Sequence, residues 1–491
     1  MLIIGKYLPR YVERRVETTL EQRYDSTVQF GSLAISVYPM LRLTGTNLVL
    51  RHNGFVGVPP LIQARQFSAE TGFWELIRRT HHLSRVQVDG LTITVPPRRS
   101  KRQQPPGPRR KVHRYPAVVD TLVADNARLV IMPEDPRRPP KIFVIHRLVL
   151  KDAGMGQAMG FNANLVNPQP RGEIISIGTF GPWNTDDPAL TPLNASYKFL
   201  HADLGTIHGL SGTLSSEGEF SGRLNRIEVT GETTTPDFKL SVSGTAVPLK
   251  TEFHAVVDGT NGNTFLEPVH AQVVGSAFTA KGGVFVKPGQ KHRTIELEVS
   301  ASGDHLEDLL RLAVKSRTPP MTGLIDFRAK LIIPPGNGDV LDRLKLSGSF
   351  ELSKGAFSAL NVEEKVNDLS HHGLGKPRAS DAGNTLSNLR GRFSLSNAVM
   401  SFPGVTFSVP GASIHLAGKS DLHTQTLDFA GTIALRAEVS QMTTGWKSIL
   451  LRPLDPLFRR GKMGTVLPIT VTGTESKPDF GVQIRRALLR R

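Results

Sequence analysis

A two-residue rhythm runs through most of this chain and constrains its fold more than any other feature. Ile325, Phe327, Ala329 and Leu331 alternate with Asp326, Arg328 and Lys330. Leu344, Leu346, Phe350 and Leu352 fall on one side of a second run together with Gly348, and Leu427, Phe429, Ile433 and Leu435 on one side of a third together with Gly431. Phe238, Leu240 and Val242 alternate with Lys239, Ser241 and Ser243, and Phe253, Ala255 and Val257 repeat the pattern. Successive side chains of an extended strand point to opposite sides, so this period gives each strand one apolar and one polar face. Runs of about nine residues reach roughly 30 Å at about 3.3 Å per residue. One-sided strands of this kind build antiparallel sheets with one wet face. The other face needs cover. A second sheet gives a sandwich, whereas a curled sheet leaves a trough. Gly348 and Gly431, inside otherwise good strands, favour curling, because glycine weakens a flat strand but permits a bend or a close approach.

A second pattern is a near repeat. Val229-Thr230-Gly231 with Pro236-Asp237-Phe238 returns, with the same internal spacing, as Val471-Thr472-Gly473 with Pro478-Asp479-Phe480. Each copy reads as strand, short polar turn, strand. Reuse of such a unit points to a long β surface rather than a single compact pocket. The expected fold class is therefore mainly β, with elongated, curled antiparallel sheets forming an apolar-lined groove and a few short amphipathic helices.

Composition excludes several chemistries. The 491 residues include no cysteine, which removes disulfides, thiolate catalysis and Cys-based zinc sites. The histidine pairs His81-His82 and His371-His372 are adjacent and cannot face one site, and no paired-ligand spacing occurs. No metal and no cofactor is expected. Gly418-Lys419-Ser420 lacks the upstream glycine of a phosphate loop, since Ser413 stands there, and Ile414 and Leu416 alternate as in a strand. Gly154, Gly156 and Gly160 have the wrong spacing for a dinucleotide fingerprint, and no nucleophile elbow is present. The chain reads as non-enzymatic. A net charge of +17 attracts polyanions, either nucleic acid or anionic lipid headgroups. The 23 phenylalanines sit mostly on the apolar faces, opposite the basic residues, whereas base-stacking platforms interleave the two; this weakens the nucleic-acid reading.

Five regions follow along the chain. Residues 1–5 form an apolar stub that resembles the end of a truncated membrane helix. Residues 6–95 hold an amphipathic helix over 8–24 and the first strands, with a second short helix at 73–79 and a turn at Asp89-Gly90. Residues 96–116 are a Pro-rich basic linker or loop. Residues 117–300 form a middle β region and 301–491 a C-terminal one. In the latter, Asp304 and Glu307 suggest a capping box ahead of Leu306, Leu309 and Leu310.

Three segments together resemble the AsmA family of inner-membrane-anchored periplasmic proteins. Tyr7-Leu8-Pro9, the charged helix, Val28–Leu33 and the break at Tyr38-Pro39 resemble its opening. The C-terminal match is an ordered set: Leu389-Arg390-Gly391, Phe402-Pro403-Gly404, Val409–Ala412, Leu427–Gly431, Thr444–Ser448, Leu454–Leu457 and Lys477–Phe480. The resemblance implies a membrane helix ahead of Lys6, a periplasmic location, a β-groove like that of bridge-like lipid-transfer proteins, and conduction of phospholipid between membranes without catalysis. Groove candidates are Phe238, Leu240, Val242, Phe253, Ile325, Phe327, Leu331, Leu346, Phe350, Leu352, Leu427, Phe429, Ile433 and Leu435. Headgroup candidates at the membrane surface are Arg10, Arg14, Arg15, the 98–114 run, Arg485, Arg486, Arg490 and Arg491. The alternative is an assembly factor for outer-membrane biogenesis, contacting envelope proteins without conducting lipid.

Overall fold

The computed structural model describes residues 26–36, 40–52, 59–72, 81–95, 117–132, 140–154, 157–182, 184, 187–287, 293–315, 317–358, 387–436, 459–460 and 463–482. The stub at 1–5, the helices expected over 8–24 and 73–79, the basic segment 96–116, Tyr38-Pro39, His371-His372 and the segments 444–448 and 454–457 lie outside them. So do Arg10, Arg14, Arg15, Arg485, Arg486, Arg490 and Arg491. The described residues are mainly β, with two short α-helices.

Two compact units divide the chain away from the expected boundaries. One comprises Met1–Asp203, Ser215–Gly231 and Val257–Asn261; the other comprises Leu204–Leu214, Glu232–Val256 and Gly262–Arg491. In the first, β1 (Ser26–Gln29) and β2 (Ser32–Ser36) pair with β3 (Leu41–His52), which pairs with β4 (Ile62–Thr71). Next come β5 (His81–Asp89) and β6 (Thr92–Val95), end to end along β4. The turn expected at Asp89-Gly90 is thus a bend within one line of chain, taken by Gly90 at φ 64°, and not a reversal. Both β5 and β6 pair with β7 (Ala117–Ile131) in parallel. Parallel neighbours cannot be joined by a tight hairpin and need a longer connection. The strands β8 (Lys141–Ala153), β9 (Met159–Pro168), β10 (Arg171–Phe180) and β11 (Pro192–Asp203) then add one by one, antiparallel.

Four strands follow: β12 (Leu210–Ser211), β13 (Thr213–Arg223), β14 (Arg226–Leu240) and β15 (Val247–Val257). The second unit is then a meander in which each strand pairs antiparallel with the next. It runs through β16 (Thr264–Val273), β17 (Ser276–Val286), β18 (Arg293–His305), β19 (Met321–Ile333), β20 (Lys345–Phe357), β21 (Ser387–Ser396), β22 (Val399–Val409), β23 (Ala412–Asp421) and β24 (Thr426–Leu435). β25 (Arg459–Arg460) pairs with β26 (Met463–Thr474), which lies between β24 and β27 (Lys477–Val482). The boundary expected at 300 falls inside β18.

Helix α1 (Leu306–Ala313) lays Leu306 and Leu309 against a cluster of Ile325, Leu352 and Leu389. The expected capping box is not formed. His305 is the N-cap and makes no side-chain cap, while Asp304 accepts from the Ala277 N–H at 2.8 Å and Glu307 from the Gly323 N–H at 3.2 Å. These acids tie strand ends together because a bulge between Ala301 and Asp304 turns Asp304 toward β17. Buried Asp308 fastens the helix to the β16–β17 turn, accepting from Gly275 N–H at 3.1 Å and Ser276 Oγ at 3.0 Å. Helix α2 (Val340–Arg343) is capped by Asp339, which accepts from Leu341 N–H at 2.8 Å.

The near repeat does not fold alike in its two copies. The first is one unbroken strand, β14, whereas the second reverses between β26 and β27 with Gly473 paired to Pro478. The inserts explain the difference. Thr233, Thr234 and Thr235 are β-branched; Thr235 is buried and Thr233 hydrogen-bonds Thr251 at 2.6 Å. Glu475-Ser476-Lys477 has no β-branched residue, and Gly473 takes φ 89°, open to glycine.

Glu475, in that turn, is half-buried. Its Oε1 accepts from Ser420 Oγ at 3.0 Å, and its Oε2 is buried with no partner among the described residues. Burial pushes its carboxyl pKa up, and the Ser420 bond offsets this in part. A raised folded-state pKa means stability that is complete below the unfolded carboxylate range and is lost as pH rises through the folded value. Glu475→Gln should therefore stabilise the protein at pH 8 and gain little below about pH 4. Urea midpoints at both pH values test this; an equal gain at both would show that ionisation is not the cause.

Candidate functional site

The register of the second unit stacks apolar positions into rows that run across the strands. One row is Ala301, Phe327, Phe350, Gly391, Val405, Leu416, Gly431 and Ile469, from β18 to β26. Beside it, Val299, Ala329, Gly348 and Phe393 lead across the β21–β22 irregularity to Phe402, Gly418, Phe429 and Val471. No polar side chain enters either row. The period-two pattern within each strand supplies the residues, and the antiparallel register aligns them.

Phenylalanine and glycine alternate across strands for a steric reason. Gly348 faces Phe393, Gly391 faces Phe350, and Gly418 lies between Phe402 and Phe429. Each ring lies over its glycine: a Cβ at Gly418 would come within 2.6 Å of Phe429 Cγ, and one at Gly348 within 2.9 Å of Phe393 Cζ. The rings in turn touch one another. Phe350 and Phe402 meet edge to face at 6.4 Å, Phe402 and Phe429 at 5.7 Å, and Phe350 and Phe393 at 6.2 Å. Laying rings across glycines pins the register and lets the sheet coil. At Gly431 a Cβ would collide with the His415 carbonyl oxygen on β23. Gly431→Ala should then cost about 1–3 kcal/mol through overpacking, as a lowered denaturant midpoint; an unchanged midpoint would show that the strands separate freely.

The margins of this face are fully buried and its centre is half-buried. At one margin Ile325, Leu352 and Leu389 pack beneath α1, with Phe327, Phe350 and Val405 of the first row packed against them. At the other, Val242, Leu341, Leu395, Ala398 and Leu422 pack with Leu240, Leu344, Leu346 and Met400. A third cluster, of Val409, Ala412, Ile414, Ile433 and Leu435, seals the β22–β24 end. Between Leu352 and Leu346 lies a strip about 20 Å wide, from six residues at about 3.3 Å each. Phe327, Phe350, Phe393, Phe402 and Phe429 occupy it, all half-buried. Among the described residues the buried core contains no aromatic side chain, although such rings normally dominate a closed core.

The fourteen groove candidates separate accordingly. Phe327, Phe350 and Phe429 lie in the strip, and Leu331, Leu346 and Leu427 flank it, all half-buried. Val242, Ile325, Leu352, Ile433 and Leu435 are sealed in core clusters, so they hold the margins together rather than line accessible surface. Phe238, Leu240 and Phe253 are half-buried on β14 and β15, where Leu240 packs on the Val242 cluster. Phe393 and Phe402 belong to the strip and are absent from the candidates. Each stands opposite a glycine in a neighbouring strand, a pairing visible only once register is known.

A concavity of about 910 Å³ lies on the other side of the same sheet. Its lining joins polar positions of β18–β22, among them Arg328, Ser349, Glu351, Arg390 and Arg392, with Phe278 of β17 and with Ala301, Phe327, Phe350 and Gly391 of the first row. A twisted sheet is saddle-shaped, so each face is hollow along one diagonal. The rhythm that predicts an apolar hollow therefore says nothing against a polar one.

Among the described residues no group of histidine and acidic side chains has metal-binding geometry, and no helix is long and apolar enough to cross a membrane. Gly418-Lys419-Ser420 lies within strand β23, as its alternation implies. Comparison of the chain with protein-family models, with curated proteins and with solved structures returns no match.

Proposed function

We propose that this chain binds phospholipid acyl chains along the strip between Phe327 and Phe429, as a non-enzymatic protein of the cell envelope. The observation that carries the reading is the pair of cross-strand rows without a polar side chain, whose rings stay half-buried between sealed margins. Hydrocarbon gains about 0.8 kcal/mol per methylene removed from water and asks for no directional partner. A surface of phenylalanine, valine and leucine meets that demand at every point along its length, which suits movement along the strip as well as binding. The ordered AsmA-like motifs support the same reading. On that resemblance we read it as a periplasmic protein associated with the inner membrane that binds or conducts phospholipid between membranes. The positive charge of the chain suits anionic headgroups.

The test is direct. The protein purified without added detergent should carry phospholipid in about stoichiometric or higher amount, identified by mass spectrometry after organic extraction. A preparation free of lipid that also takes up none from vesicles would overturn the reading and leave the assembly role in outer-membrane biogenesis.

A further inference from the structure

We propose that the polar hollow of the second unit is a binding site for a phosphate-bearing ligand, held by Arg328, Arg392 and Ser349. The site lies on the face opposite the apolar strip and stands independently of the lipid reading.

Two polar rows cross the hollow. One is Ser300, Arg328, Ser349, Arg392 and Gly404, aligned by the β18–β22 register. It contains no acid. Arg328 and Arg392 sit one strand to either side of Ser349, which puts their backbones roughly 9–10 Å apart at about 4.8 Å per strand. Two arginine side chains reaching inward from that separation can grip one tetrahedral anion, with the Ser349 hydroxyl below it. Gly404, opposite Arg392, adds no side chain to crowd the approach.

The neighbouring row is Asp326, Glu351, Arg390 and Thr406. Of its two acids, Asp326 is engaged by the β18 bulge. It accepts from Ser302 Oγ at 2.5 Å and from Gly303 N–H at 3.1 Å, holding the β18 bulge. Asp304, also on the wall, is bound to Ala277 N–H and Ser302 N–H. Glu351 stands across the ladder from Arg390. Among the described residues neither Arg328 nor Arg392 has an ion-pair or hydrogen-bond partner, and both are exposed. On the same face Lys281 is paired with Glu298 at 3.4 Å. Two unpaired guanidinium groups flanking a hydroxyl inside a hollow form a ready fork for phosphate oxygens.

The shared chemistry is a phosphate group, from either a small soluble phosphate ester or a phospholipid headgroup. Calorimetric titration of the full chain with inorganic phosphate and with glycerol phosphate addresses the first source. Flotation with phosphatidylglycerol vesicles, against phosphatidylcholine vesicles, addresses the second. In at least one arm, Arg328→Gln and Arg392→Gln should each weaken binding by about tenfold or more, as loss of a charge-assisted fork implies. Lys419→Gln removes the same charge from the same face outside the hollow and should change binding less than twofold. Ser349→Glu keeps both arginines and adds a repelling charge at an exposed position. It should abolish binding even if an arginine variant folds poorly, with circular dichroism confirming the fold. Loss in the soluble arm alone assigns a small ester, and loss in the vesicle arm assigns a headgroup. Equal effects of Lys419→Gln and Arg392→Gln, or no binding in either arm, would overturn the site. So would an oligonucleotide affinity that rises with each added nucleotide and ignores Ser349→Glu, since it would assign the response to overall charge.

Discussion

Replacing Phe429 with glutamate should remove most of the phospholipid carried by the purified protein, by about tenfold or more, while leaving the fold in place. The ring is half-buried in the centre of the strip, so a carboxylate there keeps access to water and need not unfold β24. It does place a charge where an acyl chain would lie, and an unpaired ionised group beside hydrocarbon is costly. Four residues away, on the same strand and face, Ile433 is 1 % exposed inside a sealed cluster. Ile433→Glu should therefore unfold the protein or shift its midpoint by several kcal/mol, because a buried charge without a partner has no outlet. The contrast separates an open face from a closed core. Lipid content is read by mass spectrometry and folding by denaturant titration. If Phe429→Glu were as destabilising as Ile433→Glu, the strip would be a covered core, and the proposed lipid path would have no room.

The second large effect concerns the margin beneath α1. Leu352 is 1 % exposed and packs with Ile325, Leu389 and the helix side chains Leu306 and Leu309. Leu352→Ala should cost about 2–5 kcal/mol, the transfer loss plus the cavity left behind. Phe350→Ala, one position along the same face, removes a larger side chain. It should nevertheless cost less than Leu352→Ala, because its ring is only half-buried and water already reaches the site. Denaturant midpoints of the two variants decide the order. A larger loss at Phe350 would place the structural centre of the unit in the aromatic strip rather than at its sealed edge.

Both contrasts turn on a distinction that alternation along a strand does not carry. Phe350 and Leu352 have the same apolar character and the same parity, and Phe429 and Ile433 likewise. Their faces are legible in the sequence. Whether anything covers them depends on α1 and on strands distant along the chain. The polar hollow was illegible for a related reason. Arg328, Ser349 and Arg392 belong to three strands, and nothing local says that they share a row. The capping box failed because a bulge turned Asp304 toward β17, and the near repeat failed because three threonines keep β14 extended where Glu475-Ser476-Lys477 turns.

What residue order determined on its own is the strand content, the apolar and polar side of each strand, and the absence of thiol chemistry. These follow from a period of two and from composition, which are local properties. The tertiary structure decided which strands are neighbours, where glycine meets phenylalanine, which apolar residues are sealed, and which arginines make no ion pair among the described residues. Each of these depends on the register between strands far apart in the chain. A shift of one residue would exchange the two faces, so their chemistry belongs to the assembled sheet and to no single segment.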